Sequence, residues 1–247
     1  VNEQNIYDNQ DFFDGYMKLR SNVYSANTIV EQPAFFSLCP DFAGKNVLDL
    51  GCGFGENCRK YSELGAKSVV GLDISKKMLA VAEQENKMDR INYICMSMSD
   101  LKNLTGHFDI VLSSLAVHYI EDFDEMLSNI FRLLAPEGVL IFSQEHPLTT
   151  ALKGHNYWTR DENGNMLHYN LTDYGFPGER SVNWLVDGII KYHRSFSSII
   201  NSLVEAGFLI QKVLEPVPDE QIVKQTPAYG RFYHKPDFLV IKAKKKC

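Results

Sequence analysis

The chain has 247 residues, 45% of them hydrophobic and 23% charged, a globular balance that excludes intrinsic disorder and supplies material for a sizeable core. That length lies between one domain and two at roughly 150 residues per domain, and one large domain is the expectation. With 25 Lys and Arg against 31 Asp and Glu the formal net charge is −6, which provides no basic footprint for nucleic-acid phosphates.

The first residues, VNEQNIYDNQ, are polar and offer no apolar stretch for a signal peptide. No run approaches the roughly 18 to 20 apolar residues of a membrane span, so a cytoplasmic protein without a membrane span is expected. Residues 11–38 read as helical pieces with Phe12, Phe13 and Tyr16, broken at Pro33 and covering one edge of a sheet. Between 45 and 142, short β-branched runs alternate with helical patterns, the rhythm of βαβ units and a parallel sheet. Strands are predicted at 46–50, 68–72, 91–95, 108–113 and 138–142. Helices fall between them: Cys58, Tyr61 and Leu64 recur at three-residue spacing before Gly65, and Met78, Leu79 and Ala82 form one face after Ser75, an N-cap. Met126, Leu127, Ile130, Leu133 and Leu134 give the clearest helical stripe, closed by Pro136 and Gly138.

From 147 to 196 the character changes to Gly, Pro, Asn and Asp punctuation. Both tryptophans, His155, His168, His193 and a series of tyrosines fall there, which suits a lid or substrate wall better than a linker. A helix at 197–206 ending at Gly207 and strands at 208–214 and 237–243 complete the reading. The five cysteines, 39, 52, 58, 95 and 247, show no CxxC or metal-type spacing and read as reduced thiols. No metal site is expected.

The most informative stretch is VLDLGCGFGEN, residues 47–57: a strand ending near Asp49, glycines at 51, 53 and 55, then a helix. Such a turn lets a ligand approach the main chain closely. A dinucleotide fingerprint would place Gly or Ala three residues after Gly53, where Glu56 stands, and no Gly-Lys-Ser/Thr follows for a P-loop. Asp49 and Glu56 would repel a pyrophosphate but suit a cation. S-adenosylmethionine, with its sulfonium and ammonium, matches that charge. Asp73, ending the next strand in VVGLDIS, is placed to accept hydrogen bonds from ribose hydroxyls, although a helix N-terminus also favours an acid there.

In these residues the chain resembles the class I S-adenosylmethionine-dependent methyltransferases, in particular small-molecule enzymes similar to the ubiquinone and menaquinone methyltransferases. The resemblance runs in order through VLDLGCGFGEN, VVGLDISKKML, YICMSMSDL, FDIVLSSLAVHYI and LLAPEGVLIFS, over about residues 45–143. It implies an α/β, Rossmann-like, seven-stranded and mostly parallel sheet with helices on both faces and an antiparallel last strand. It further implies that Asp49, Gly51, Cys52, Gly53 and Gly55 line the methionine part, that Asp73 and Ile74 hold the ribose and cover the adenine, and that Ser114 and Leu115 lie beside the methionine end. Ser97 and Met98 stand where the family commonly has Asp and a small residue at the adenine amino group, a departure that weakens the Ser97 contact. DGYMKLRSN, 14–22, resembles the helix that closes over the cofactor, from which Arg20 could pair with the methionine carboxylate and Tyr16 could hydrogen-bond it. A solvent-facing helix is the other reading of that segment.

Methyl transfer from a sulfonium requires positioning and desolvation of the acceptor, with a general base where the acceptor must lose a proton. His146, following the fifth core strand, and His193, ending the aromatic insertion, are the candidate bases; His118 and Glu145 are weaker candidates, and structural histidines are the plainer alternative. The expected organisation is a single unit: an N-terminal helical cover at 1–44, a cofactor core at 45–146, an aromatic lid and substrate insertion at 147–196, and a last helix with two strands at 197–247. The expected activity is methylation of N, O or C on a small-molecule acceptor, by a monomer or homodimer without a nucleic-acid partner. Methylation of RNA or protein, and a non-catalytic cofactor-binding regulator, are the rival readings.

Overall fold

The computed structural model describes residues 4–20, 22, 24–154 and 157–246. His155 and Cys247 lie outside them. In chain order the elements are α1 (Gln10–Arg20), a π-helical turn (Asn27–Glu31) that runs into α2 (Gln32–Leu38), β1 (Asn46–Leu50), α3 (Glu56–Glu63), β2 (Ser68–Asp73), α4 (Lys76–Glu85) and β3 (Ile91–Cys95). There follow β4 (Phe108–Ser113), α5 (Phe123–Leu133), β5 (Leu134–Glu145), α6 (Pro147–Ala151), β6 (Trp158–Arg160), β7 (Met166–Tyr169), β8 (Gly178–Val182) and β9 (Ile189–His193). The chain ends with α7 (Phe196–Glu205), β10 (Phe208–Leu214), α8 (Glu220–Gln225) and β11 (Phe238–Lys245).

Seven strands form the main sheet in the order β10-β11-β5-β4-β1-β2-β3. Pairings within β3-β2-β1-β4-β5 are parallel, and β11 runs antiparallel to both β5 and β10. The expected Rossmann-like sheet with a reversed last strand is therefore present. Chain order reverses beside β1, whose neighbours are β2 and β4, and a crevice opens at the carboxyl ends of the strands at such a switch point.

Both faces of the sheet are covered, and the period-2 alternation of strand side chains explains how. Leu48, Val111, Leu140 and Phe142 enter one core with Leu127 and Ile130 of α5 and Leu203 of α7. Their chain neighbours Val47, Ile110, Leu112 and Ile141 enter the other, with Leu38 of α2 and Cys58 and Tyr61 of α3. Strands apolar on both sides are what a parallel sheet covered on both faces requires.

Three local features depart from the sequence reading. Pro33 does not break a helix: it sits in the first turn of α2, where its missing N–H is not needed. Pro136 and Gly138 do not separate α5 from the next strand. β5 begins directly at Leu134, and an irregularity carries the pairing from Phe108–Leu134 to Ile110–Val139, with Glu137 at φ +66. The segment 147–196 carries elements the reading left unassigned, α6 and two antiparallel hairpins, β6-β7 and β8-β9, joined by loops. Their short, polar strands carry too little alternation to be read from sequence.

Candidate active site

At the carboxyl ends of β1, β2 and β4 lies a cavity of about 1360 Å³. The core contributes Gly51, Gly53, Asp73, Ile74, Ser97, Met98, Ser114 and Leu115; the N-terminal segment adds Tyr7, Tyr16, Arg20, Glu31 and Gln32. The lid side adds Glu179, Ile190, Tyr192 and Arg194. A small recess of about 50 Å³ behind the glycine turn is lined by Asp49, Cys52, Phe54 and Asn57 together with Tyr16, Arg20, Gln32, Gly51, Gly53 and Ser114.

The turn has this shape because side chains are excluded at one position and would project into open space at another. Gly51 has φ +70, and a Cβ there would lie 2.5 Å from the Ala116 Cβ. Gly53 has φ +55, and a Cβ would meet nothing within 4 Å, so the main chain itself forms a cradle that a side chain would fill. Gly55 lies outside the cavity, at the start of α3 and against the Tyr93 hydroxyl.

Asp73 fixes the cradle. One carboxyl oxygen accepts from the Gly53 N–H at 2.8 Å and the other from the Ser75 N–H at 2.9 Å. Burial pushes this carboxyl up to about 6, against those hydrogen bonds. Asp49 is buried at the end of β1 and pushed up to about 7 by burial, with the Cys58 thiol donating to it at 3.3 Å. Ser75 caps α4, accepting from the Met78 N–H, and donates to Asp8 at 2.6 Å. Asp8 also accepts from the Lys77 N–H, so the N-terminal segment is pinned to the start of α4, where the helix dipole favours an anion.

Leu115, after β4, is held at φ +53, a strained conformation for a γ-branched residue that its partners must enforce. Its N–H donates to the Ser143 carbonyl at 3.1 Å and to the Ser143 hydroxyl at 3.0 Å. Behind Ser143 and Ser114 sits Glu31, wholly buried. It accepts from the hydroxyls of Ser143 and Ser114 and from the Gln32 amide. Burial pushes the Glu31 carboxyl up, and those three donors, with Arg20 nearby, oppose the shift.

The structure thus gathers Tyr16, Arg20, Asp49, Gly51, Cys52, Gly53, Asp73, Ile74, Ser97, Met98, Ser114 and Leu115 around one cavity and its recess. Arg20 forms an ion pair with Glu56 at the start of α3. His146 and His193 are not among the lining residues, and both are buried with each ring nitrogen engaged. His146 Nδ1 accepts from the Leu148 N–H at 3.1 Å, which leaves Nε2 to donate to Glu215 at 2.8 Å. His193 Nε2 donates to the Tyr174 carbonyl at 3.0 Å, so Nδ1 accepts from the Thr150 hydroxyl at 2.8 Å. Burial lowers the pKa of both rings. His146 and His193, the expected bases, thus each tie the lid to its surroundings, with both nitrogens of each ring engaged in this geometry. His118 is also buried and is pushed down to about 4 by burial. Glu145 pairs with Lys191 at 2.5 Å.

Glu31, Gln32 and Tyr7 line the cavity without having been singled out in the sequence. In IVEQP a single acid among apolar residues has no distinguishing spacing, and only the π-helical turn carries it inward; such turns recur at functional sites.

Comparison with known proteins agrees with this geometry. Residues 48–142 match the model of a methyltransferase domain. A solved S-adenosylmethionine-dependent methyltransferase from Mesorhizobium loti is 32% identical, with 90% of this chain and 99% of that chain covered at a TM-score of 0.79. An uncharacterised protein of Haemophilus influenzae is 39% identical over 99% of this chain and 98% of its own length. The malonyl-[acyl-carrier protein] O-methyltransferase of Pectobacterium atrosepticum matches more narrowly, at 34% identity over 43% of this chain and 41% of its own. The chain belongs to the S-adenosylmethionine-dependent methyltransferases. It is an enzyme of methyl transfer with S-adenosylmethionine as its cofactor. Among the described residues there is no group of three or more His, Cys, Asp or Glu that could hold a metal ion, and no helix is long and apolar enough to cross a membrane.

Proposed function

We propose that the chain methylates a small molecule that is neutral or cationic and is held between the cofactor and the β8-β9 hairpin. One observation carries this reading: a single cavity of about 1360 Å³ runs from the glycine turn to Glu179, Ile190, Tyr192 and Arg194. It exceeds the roughly 300–1,000 Å³ typical of one ligand pocket, which leaves room for a second small molecule. The charge of the cavity lining supports the acceptor class. Asp100, Glu121, Asp124, Glu125 and Glu179 line it, while the Arg194 guanidinium is engaged by the carbonyls of Ile120 and Glu121 and stacked on Phe123. Glu125 is paired with Lys102 at 3.9 Å, but the lining carries more carboxylates than cations and would repel an anionic acceptor.

In this reading Asp73 receives the ribose hydroxyls, Ile74 and Met98 flank the adenine beside Ser97, and Gly51, Gly53, Cys52, Ser114 and Leu115 surround the methionine arm. Asp49 supplies negative potential behind the turn, and Tyr16 and Arg20 close over the arm's carboxylate, with Arg20 exchanging Glu56 for it. When bound, the cofactor supplies an electrophilic methyl on a good thioether leaving group. The protein's part is to orient the acceptor and exclude water, through Tyr119, Tyr192 and the lid, since effective orientation is worth roughly 7–11 kcal/mol in favourable cases. His146 and His193 are assigned to holding the lid. The unit works as one domain, with 45–146 holding the cofactor and 147–196 selecting the acceptor.

The test is transfer of an isotopically labelled methyl group from S-adenosylmethionine into cell extract fractionated by size and charge. Label in low-mass neutral or cationic compounds supports the reading. Label confined to protein, nucleic acid or acidic metabolites sinks it.

A further inference from the structure

The hydrogen-bond polarity of the cavity wall beside Ser114 can be read from Glu31 outward. An ionised carboxylate accepts and cannot donate. Glu31 takes the Ser114 hydroxyl proton at 2.9 Å, the Ser143 hydroxyl proton, and one N–H of the Gln32 amide at 3.0 Å. The second N–H of that amide donates to the Ser114 oxygen at 3.2 Å. Both amide hydrogens of Gln32 are thereby committed, which fixes which end of the amide faces where. Its carbonyl oxygen, Oε1, has no hydrogen-bond donor among the described residues, and Gln32 lines both the main cavity and the recess behind the glycine turn. The neighbouring Ser114 oxygen has given its proton to Glu31 and has a lone pair to spare. This stretch of wall therefore presents acceptors only. Gly51, Gly53 and the Arg20 side chain line the same two spaces.

We propose that Gln32 binds the ammonium group of S-adenosylmethionine through Oε1, and that Glu31 is a positioning residue that sets the direction of the Gln32 amide. The proposal rests on the placement of the methionine arm given above. An ammonium brings three donors and no acceptor, which is what an acceptor-only wall selects, and Arg20, which lines the same cavity, complements the arm's carboxylate. Glu31 acts through its neighbours: it takes the Ser114 and Ser143 hydroxyl protons and one Gln32 amide proton, the second amide proton goes to Ser114, and neither Ser114 nor Gln32 is left with a donor to turn toward the ammonium.

The experiment compares binding of S-adenosylhomocysteine with binding of 5′-methylthioadenosine, which has the nucleoside and sulfur but lacks the amino-acid arm, by calorimetric titration of the full chain. Gln32→Met, similar in volume and without the acceptor, is expected to weaken S-adenosylhomocysteine about tenfold or more, the loss of a hydrogen bond to a charged group, and to leave methylthioadenosine within twofold. Glu31→Gln keeps the side-chain size and adds a donor; it is expected to weaken S-adenosylhomocysteine selectively in the same way, as the amides rearrange. Methylthioadenosine binding reports the intact fold in both variants. Equal weakening of the two ligands, or no weakening of either, overturns the proposal while leaving the cofactor site in place. Failure of the unaltered chain to bind S-adenosylhomocysteine at all overturns the site placement beneath it.

Discussion

The sheet core and the lid at 147–196 are held together by different physics. In the core, Leu48, Leu112, Leu127 and their neighbours are buried side chains on a regular alternation, and many interchangeable contacts share the stabilisation. In the lid, a few polar side chains are sunk into the structure and tie it from within. Arg180 on β8 is 3% exposed and donates to five backbone carbonyls, of Ala151, Asp173, Phe176, Gly178 and Glu179. His193 links Thr150 to Tyr174, and Lys191 pairs with Glu145. A region built on periodic burial tolerates exchange of one apolar residue for another. A region built on single polar clamps depends on each of them, and each is free to take a different form in a related enzyme with a different acceptor.

That contrast can be broken most directly at Arg180. Arg180→Ala removes five hydrogen bonds at once, one of them to the buried Ala151 carbonyl, and is expected to cost about 3 kcal/mol. Leu112→Ala, in the core, is expected to cost a similar amount through the cavity it leaves. The two should differ in reach: hydrogen exchange after Arg180→Ala should accelerate across 147–196 with the sheet still protected, whereas Leu112→Ala should lower protection across the sheet. Uniform acceleration in both variants would show that lid and core unfold as one unit.

The next effect in size concerns Asp73, which orders the glycine turn through Gly53 and is assigned the ribose. Asp73→Ala is expected to weaken S-adenosylhomocysteine binding about 100-fold, close to 3 kcal/mol for hydrogen bonds to a charged acceptor. A change below threefold by calorimetry would remove Asp73 from the site. No comparable loss is expected from His193→Asn, which perturbs the lid and not the cradle.

The core also carries a pH signature opposite in sign to that of His193 in the lid, whose pKa burial lowers. Asp49 and Asp73 are pushed up to about 7 and about 6 by burial. Between about pH 4 and pH 7 the folded chain therefore retains protons that the unfolded chain has released. Stability of the ligand-free protein should consequently fall as pH rises through this window, and Asp49→Asn should flatten the fall in a series of denaturant titrations. Cofactor affinity should run the other way, improving as Asp73 ionises above about pH 6 and Asp49 above about pH 7, and Asp73→Asn should remove the lower of these two steps. The smallest effect is expected at the half-exposed Arg20–Glu56 pair. Glu56→Gln should alter stability by less than about 1 kcal/mol and should tighten S-adenosylhomocysteine slightly by freeing Arg20; a marked weakening would show that Glu56 orients Arg20 and does not compete for it.

The residues by themselves determined the βαβ order, four of the five parallel strands near their observed limits, and the glycine turn with Asp49 and Asp73, while the seven-stranded sheet with its reversed last strand was what the resemblance implied. The residue-level readings rest on local rules: runs of β-branched residues, an N-cap at Ser75, and glycines at positions that need positive φ or close approach. Only the tertiary structure decided which polar residues face the cavity. His146 and His193 have the chemistry of a base, yet tertiary partners occupy both nitrogens of each ring. Glu31 and Gln32 have no motif, yet a π-helical turn carries them to the tips of β4 and β5. A side chain's protons are assigned by whatever it meets in space, and residues 112 positions apart, such as Glu31 and Ser143, meet only after the chain has folded.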